Sequence, residues 1–150
     1  MILYRLTTGK YANDISGEGS RIYGGRWNPP GLATLYTGEY ISLCILEILV
    51  RASKATSPNT YTLVFIEIPE DEILCIQHDK LKKGWQYDLA YSQGIGEDFL
   101  KENNALCLKV PSAIVPQENN YLLNPSHVDF KKVKIISTEL LELDQRLFKN

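Results

Sequence analysis

Between Gly17 and Asn28 the chain packs four glycines, two arginines, a glutamate, a tyrosine and a tryptophan into twelve residues. Glycine lets a backbone turn sharply and approach a ligand closely. Arg26, directly after Gly24-Gly25, can offer a planar fork of donors to a phosphate or carboxylate. A pure core segment would not carry this much glycine and charge, and a plain surface loop would not need Trp27. The same residues also read as a long connection in which Trp27 plugs the core.

The 150 residues suffice for one domain with its own core. With 44% hydrophobic and 23% charged residues, the composition is that of an ordinary soluble protein. A net charge of −2 argues against nucleic-acid binding by bulk electrostatics, and Lys82-Lys83 and Lys131-Lys132 are isolated pairs. The start, Met1-Ile2-Leu3-Tyr4-Arg5-Leu6, lacks the regions of a signal peptide, and no apolar run reaches membrane-spanning length. Cys44, Cys75 and Cys107 are far apart in apolar stretches, which predicts buried free thiols in a reducing cytoplasm. His78 and His127 lack metal-ligand spacing, so no metal site is expected.

Alternation predicts a strand over 2–7, and a second short strand over 33–37. The clearest strand is 60–68, rich in β-branched and aromatic residues. Further strands are expected at 72–77, 105–110 and 133–137, with helices at 39–53 and 96–103; residues 139–146 are ambiguous. Strands in runs, with few helices and no βαβ alternation, predict an α+β fold in a single compact domain over 1–150.

On a helical wheel Ile41, Cys44, Ile45, Ile48, Leu49 and Ala52 form one apolar face, and Leu43, Leu46 and Val50 cover most of the other. This predicts a helix buried nearly all round, with Tyr40, Glu47 and Arg51 on a narrow polar stripe. Glu47 and Arg51 read either as an ordinary i, i+4 pair at a solvated edge or as a stripe facing a cleft.

A second unusual stretch runs from Val110 to Pro125. Prolines bracket a short extended piece, followed by Asn119, Asn120 and Asn124, then Ser126 and His127. Ser112 lacks a nucleophile elbow and suits a hydrogen bond to a ligand or to its own backbone. His127 before Asp129 reads as a dyad or as a histidine at a turn.

Together these stretches resemble the RES domain family, the toxin half of bacterial RES–Xre toxin–antitoxin pairs. The resemblance rests on Tyr4-Arg5-Leu6, Gly17-Glu18-Gly19, Gly24-Gly25-Arg26-Trp27-Asn28, Gly31, Leu35-Tyr36-Thr37 and Leu46-Glu47. It continues through Val110-Pro111-Ser112, Val115-Pro116, Glu118-Asn119-Asn120, Leu123-Asn124-Pro125, His127 and Asp144-Gln145-Arg146-Leu147.

The resemblance implies a fold like that of the diphtheria-toxin-like ADP-ribosyltransferases. It implies an enzyme that consumes NAD+ as substrate by breaking the nicotinamide–ribose bond, through hydrolysis or phosphorolysis. A protein ADP-ribosyltransferase is the alternative, and a non-catalytic binding module a weaker one. The implied catalytic residues are Arg26, Tyr36 and Glu47, with Arg5, Gly25, Asn28, Ser112 and Asn124 as substrate-binding residues. No metal or resident cofactor is implied. The implied partner is an Xre-type antitoxin, and self-association is open. The chemistry suits these residues. Cleavage passes through an oxocarbenium-like cation that Glu47 can stabilise, Arg26 can bind the pyrophosphate, and Tyr36 can stack on nicotinamide. No G-x-G-x-x-G joins a strand to a helix, so NAD+ binding of the Rossmann type is not expected.

Overall fold

One mixed sheet of seven strands, in the order β4-β5-β6-β2-β1-β3-β7, organises the molecule. The computed structural model describes residues 1–51 and 59–148. The strands are β1 Ile2–Thr7, β2 Leu35–Gly38, β3 Thr60–Glu67, β4 Ile73–Cys75, β5 Cys107–Pro111, β6 Asn119–Leu123 and β7 Lys134–Glu142. The helices are α1 Glu18–Tyr23, α2 Ile41–Arg51 and α3 Leu89–Glu102. Only β4 and β5 run parallel; every other neighbouring pair is antiparallel. The α+β expectation therefore holds.

The central strands are buried on both faces, and the two-residue period of a strand divides their side chains between two cores. On one face Cys107, Tyr121 and Leu123 join Leu3, Val64 and Ile66. On the other, Leu108, Val110 and Leu122 join Trp27, Trp85, Phe99 and Leu100. Trp27 thus does plug a core, but from within the glycine-rich segment, and it stacks obliquely on Trp85 at 5.3 Å.

Several boundaries differ from the expectations for physical reasons. The glycine-rich segment holds a six-residue helix, α1, entered through Gly17 at φ 73°. A Cβ on Gly17 would lie 2.9 Å from the Thr34 carbonyl oxygen, so glycine is required twice over there. Helix α3 begins seven residues earlier than expected, because the Asp88 side chain accepts the Tyr91 N–H and caps it. Strand β6 was not anticipated: it opens with two asparagines, which strands disfavour. The ambiguous residues 139–142 continue β7.

Two burial expectations are corrected. Helix α2 lies against β1 and β2 on one side only, leaving Leu46 39% and Val50 68% exposed. It ends at Arg51; positions 52 and 53 of the expected helix lie outside the described residues. Cys44 and Cys107 are buried free thiols, but Cys75 is exposed because β4 is an edge strand.

Candidate active site

A cavity of about 380 Å³ is walled by β1, α1, β2 and α2, with Asn120 of β6 completing it. Strand β2 sits between β1 and β6, so residues far apart in sequence meet at its surface.

Tyr36 projects from β2. Its hydroxyl donates to Asn28 Oδ1 at 2.5 Å and accepts the Trp27 N–H at 3.0 Å. Burial pushes the phenol up to about 12, opposed by the weaker effect of the Trp27 hydrogen bond. Asn28 is fully buried and donates Nδ2 to the carbonyls of Ser20 at 2.9 Å and Leu32 at 2.8 Å. The glycine-rich segment is thereby tied to the cavity wall. Gly25 is needed for this closeness: a Cβ there would stand 2.5 Å from the Tyr36 hydroxyl oxygen.

Helix α3 holds the same segment from behind. Ser92 Oγ donates to the Arg26 carbonyl at 2.6 Å and Gln93 Nε2 to that of Gly25 at 2.9 Å. Gly96 lets α3 lie against Trp27, where a Cβ would come within 1.5 Å of the carbonyl oxygen. The Arg26 guanidinium donates to the Gln86 carbonyl at 2.6 Å, in the short 3-10 turn Trp85–Tyr87.

Glu47 enters from α2. Its Oε1 accepts from Asn120 Nδ2 at 2.7 Å and from Ser112 Oγ at 3.2 Å. Ser112 is itself buried, and its Oγ accepts the N–H groups of Ile114 and Val115 at 3.0 and 3.1 Å. Glu47 Oε2 faces Arg51 Nη2 at 4.0 Å, and the Arg51 guanidinium carbon lies 5.8 Å from the centre of the Tyr36 ring. Arg5 joins the wall from β1, with Nη1 donating to the Tyr11 carbonyl at 3.1 Å. Desolvation pulls the pKa of this guanidinium down, and Asp14 partly opposes the shift.

Of the eight residues singled out from the sequence, Arg5, Gly25, Tyr36 and Glu47 line the cavity. Arg26, Asn28, Ser112 and Asn124 are not among the lining residues. Asn28 and Ser112 stand one hydrogen bond behind it, on Tyr36 and Glu47. Asn124 binds Asn103 Oδ1 at 2.9 Å and the Ser126 N–H at 3.0 Å, and so joins the end of α3 to the turn after β6. Arg51 and Asn120 line the cavity without having been singled out as site residues. Arg51 was visible as part of the polar stripe on α2. Asn120 had a weaker signal, the asparagine pair before an apolar run.

Among the described residues, one group brings metal-ligand types together: Glu72, His127 and Asp129, with ligand atoms within 4.8 Å of one another. His127 Nδ1 accepts the Asp129 N–H at 3.1 Å, so a neutral ring carries its proton on Nε2. That nitrogen faces Glu72 Oε2 at 3.6 Å. A metal-bound histidine instead donates from its second nitrogen. The group therefore suits a structural cap on the turn Val128–Lys132, the turn role among the two expected for His127.

The RES domain family model matches residues 2–144. The chain belongs to the RES domain family. Toxin Res of Photorhabdus laumondii is 37% identical over 153 residues, covering 99% of this chain and 98% of its own. The Prs ADP-ribosylating toxin of a Sphingobium species is 35% identical over 144 residues, covering 92% of this chain and 89% of its own. The NAD(+) phosphorylase MbcT of Mycobacterium tuberculosis matches more locally: 43% identity over 51 residues, 33% of this chain and 27% of that one. The crystal structure of the M. tuberculosis MbcT–MbcA toxin–antitoxin complex matches this RES domain with a TM-score of 0.77 at 21% identity, covering 98% of this chain and 86% of that chain. The fold is thus shared with that solved toxin over nearly the whole chain.

Proposed function

We propose that this RES domain is a toxin that consumes NAD+ by cleaving its nicotinamide–ribose bond. The observation that carries this reading is Arg51. Its planar, positively charged guanidinium meets both the Tyr36 ring face and Glu47 Oε2 in one cavity. The nicotinamide ring of NAD+ is also a planar cation, and the cation left on the ribose after cleavage needs a carboxylate beside it. Tyr36 supplies the face and Glu47 the charge. Arg5 offers an anion partner for the pyrophosphate from the same wall. Arg26 would join them by releasing the Gln86 carbonyl.

The acceptor divides two versions of the reaction. Water or phosphate gives NAD+ degradation, in line with the name of MbcT. A protein side chain gives ADP-ribosylation, in line with the name of the Sphingobium relative, which matches nearly the whole chain. Both versions use NAD+ as a consumed substrate and need no resident cofactor. Purified protein is incubated with NAD+, with and without phosphate and with a cell extract, and the products are identified. Free ADP-ribose or its phosphate supports degradation, and a labelled protein supports transfer. Intact NAD+ in every arm would leave a binding module.

We further propose a protein antitoxin as the neutralising partner, of the Xre type, with any DNA contact made through that partner. The naming of the solved relative as half of a toxin–antitoxin complex supports the antitoxin. No helix among the described residues is long and apolar enough to cross a membrane. A cytoplasmic site of action follows from the substrate, and self-association is read from the mass of the purified protein in solution.

A further inference from the structure

Asn120 lies in the interior of the sheet, opposite Gly38 of β2 and Val110 of β5. Strands disfavour asparagine, yet the next three residues, Tyr121, Leu122 and Leu123, are all buried core. The position therefore carries a polar group where packing alone would choose an apolar one. The amide reaches toward α2: Nδ2 donates to Glu47 Oε1 at 2.7 Å, closer than the 3.2 Å of the Ser112 hydroxyl.

Gly38 makes room for that contact. A Cβ at Gly38 would stand 2.9 Å from Cys44 Sγ on α2 and 3.5 Å from Asn120 Oδ1. The bare backbone at this register lets the helix and the amide meet across the strand.

A glutamate side chain has three rotatable bonds, and fixing one oxygen from two directions fixes the other. Oε1 is the held oxygen. Oε2 is left to face Arg51, whose Nη2 stands 4.0 Å away, and both residues line the cavity.

Resting on the NAD+ reading above, we propose that Asn120 is a positioning residue. Its amide holds Glu47 Oε1 so that Oε2 is presented to the ribose of NAD+.

The test is Asn120→Asp, which keeps the size of the side chain and turns a donor into an acceptor. At neutral pH the two carboxylates repel. The expected result is a loss of kcat on the order of a hundredfold, as a misplaced catalytic group costs. KM should stay within about twofold, because the ground-state contacts are untouched. Toward about pH 5 a proton shared by the pair restores a donor, and activity recovers relative to wild type at the same pH. Asn120→Ala should lose kcat equally without the acid recovery. Normal kcat for Asn120→Asp at neutral pH would overturn the assignment. So would a raised KM with unchanged kcat, which would make Asn120 a substrate contact.

A second readout needs neither turnover nor NAD+. With melting temperatures checked on each preparation, the Asn120 side-chain amide resonances are followed by NMR in wild type and Glu47→Gln. They should move when the carboxylate they donate to is replaced, and unmoved resonances would overturn the contact. An inactive wild type with the expected amide shift would sink the NAD+ reading and uphold the contact.

Discussion

The Tyr36 hydroxyl donates to Asn28 Oδ1 at 2.5 Å, and through this bond the glycine-rich segment and the central strand β2 become one wall. The hydroxyl also accepts the Trp27 N–H, so it is a structural junction in the cavity lining.

Tyr36→Phe should therefore lower stability as well as activity. It leaves the Trp27 N–H and the Asn28 side-chain Oδ1 without the hydroxyl they share, at a cost of about 1–3 kcal/mol. Denaturant unfolding of the variant checks this. Unchanged stability would show that water or a neighbour replaces the hydroxyl.

Alkaline pH should loosen the same wall. Burial pushes Tyr36 from 10.0 up to about 12, and burial with the Glu47 carboxylate beside it pushes Cys44 from 9.0 up to about 12. Both groups have raised pKa values in the folded chain. Their contribution is therefore complete below about pH 9 and is lost as pH climbs toward about 12. Melting temperature should fall across that window, and less steeply in Cys44→Ala than in wild type.

Glu47→Gln should keep the fold and lose NAD+ consumption. The glutamine carbonyl can still accept from Asn120 and Ser112, but the negative charge facing the ribosyl cation is gone. The expected loss is on the order of a hundredfold or more. Near-normal turnover in a folded variant would remove Glu47 from the chemistry.

The glycines should separate sharply. Gly25→Ala drives a methyl toward the Tyr36 hydroxyl oxygen, 2.5 Å away, and should destabilise the protein by roughly 1–3 kcal/mol while disturbing the cavity. Gly19→Ala has nothing within 4 Å of the new methyl and lies within α1, so it should be neutral or stabilise by up to about 1 kcal/mol. Paired thermal melts decide both.

Arg26→Lys should fold normally, since a lysine ammonium can still donate to a carbonyl in the place of Gln86. The planar fork is lost, so a drop in NAD+ consumption on the order of tenfold or more is expected if Arg26 turns to the substrate. Full activity would leave Arg26 as a tie between the glycine-rich segment and the Trp85–Tyr87 turn.

Alternation made β1 legible, β-branched and aromatic content made β3 legible, and the apolar face of a helix made α2 legible. Tyr36 and Glu47 stood out through the family resemblance, and Glu47 also through its polar stripe on an apolar helix. Strand β6 did not stand out, and Asn120 did so only within an asparagine-rich stretch and not as a site residue, for one shared reason. The asparagines that serve Glu47 and Glu39 break the strand signal where the contacts are made. Helix α1 was hidden by Gly17 and Gly19: Gly17 serves the turn into the helix and the close approach to Thr34, while Gly19 merely weakens the helix signal. The distinction between Arg26 and Arg51 at the cavity is tertiary. It depends on Gln86 and on the end of α2, neither of which spacing in the sequence reveals.

The order of strands gives the site a schedule. Glu47 is placed by side chains at positions 112 and 120, and β6 must pair with β2 before either can reach it. A ribosome that has emitted α2 has made the carboxylate but not its holders. The cavity gains its last wall only when Asn120 and the rest of β6 have emerged. Synthesis itself thus delays assembly of the full cavity, and a chain cut short before β6 would carry Glu47 without Asn120 and without the strand through which β5 and Ser112 join β2.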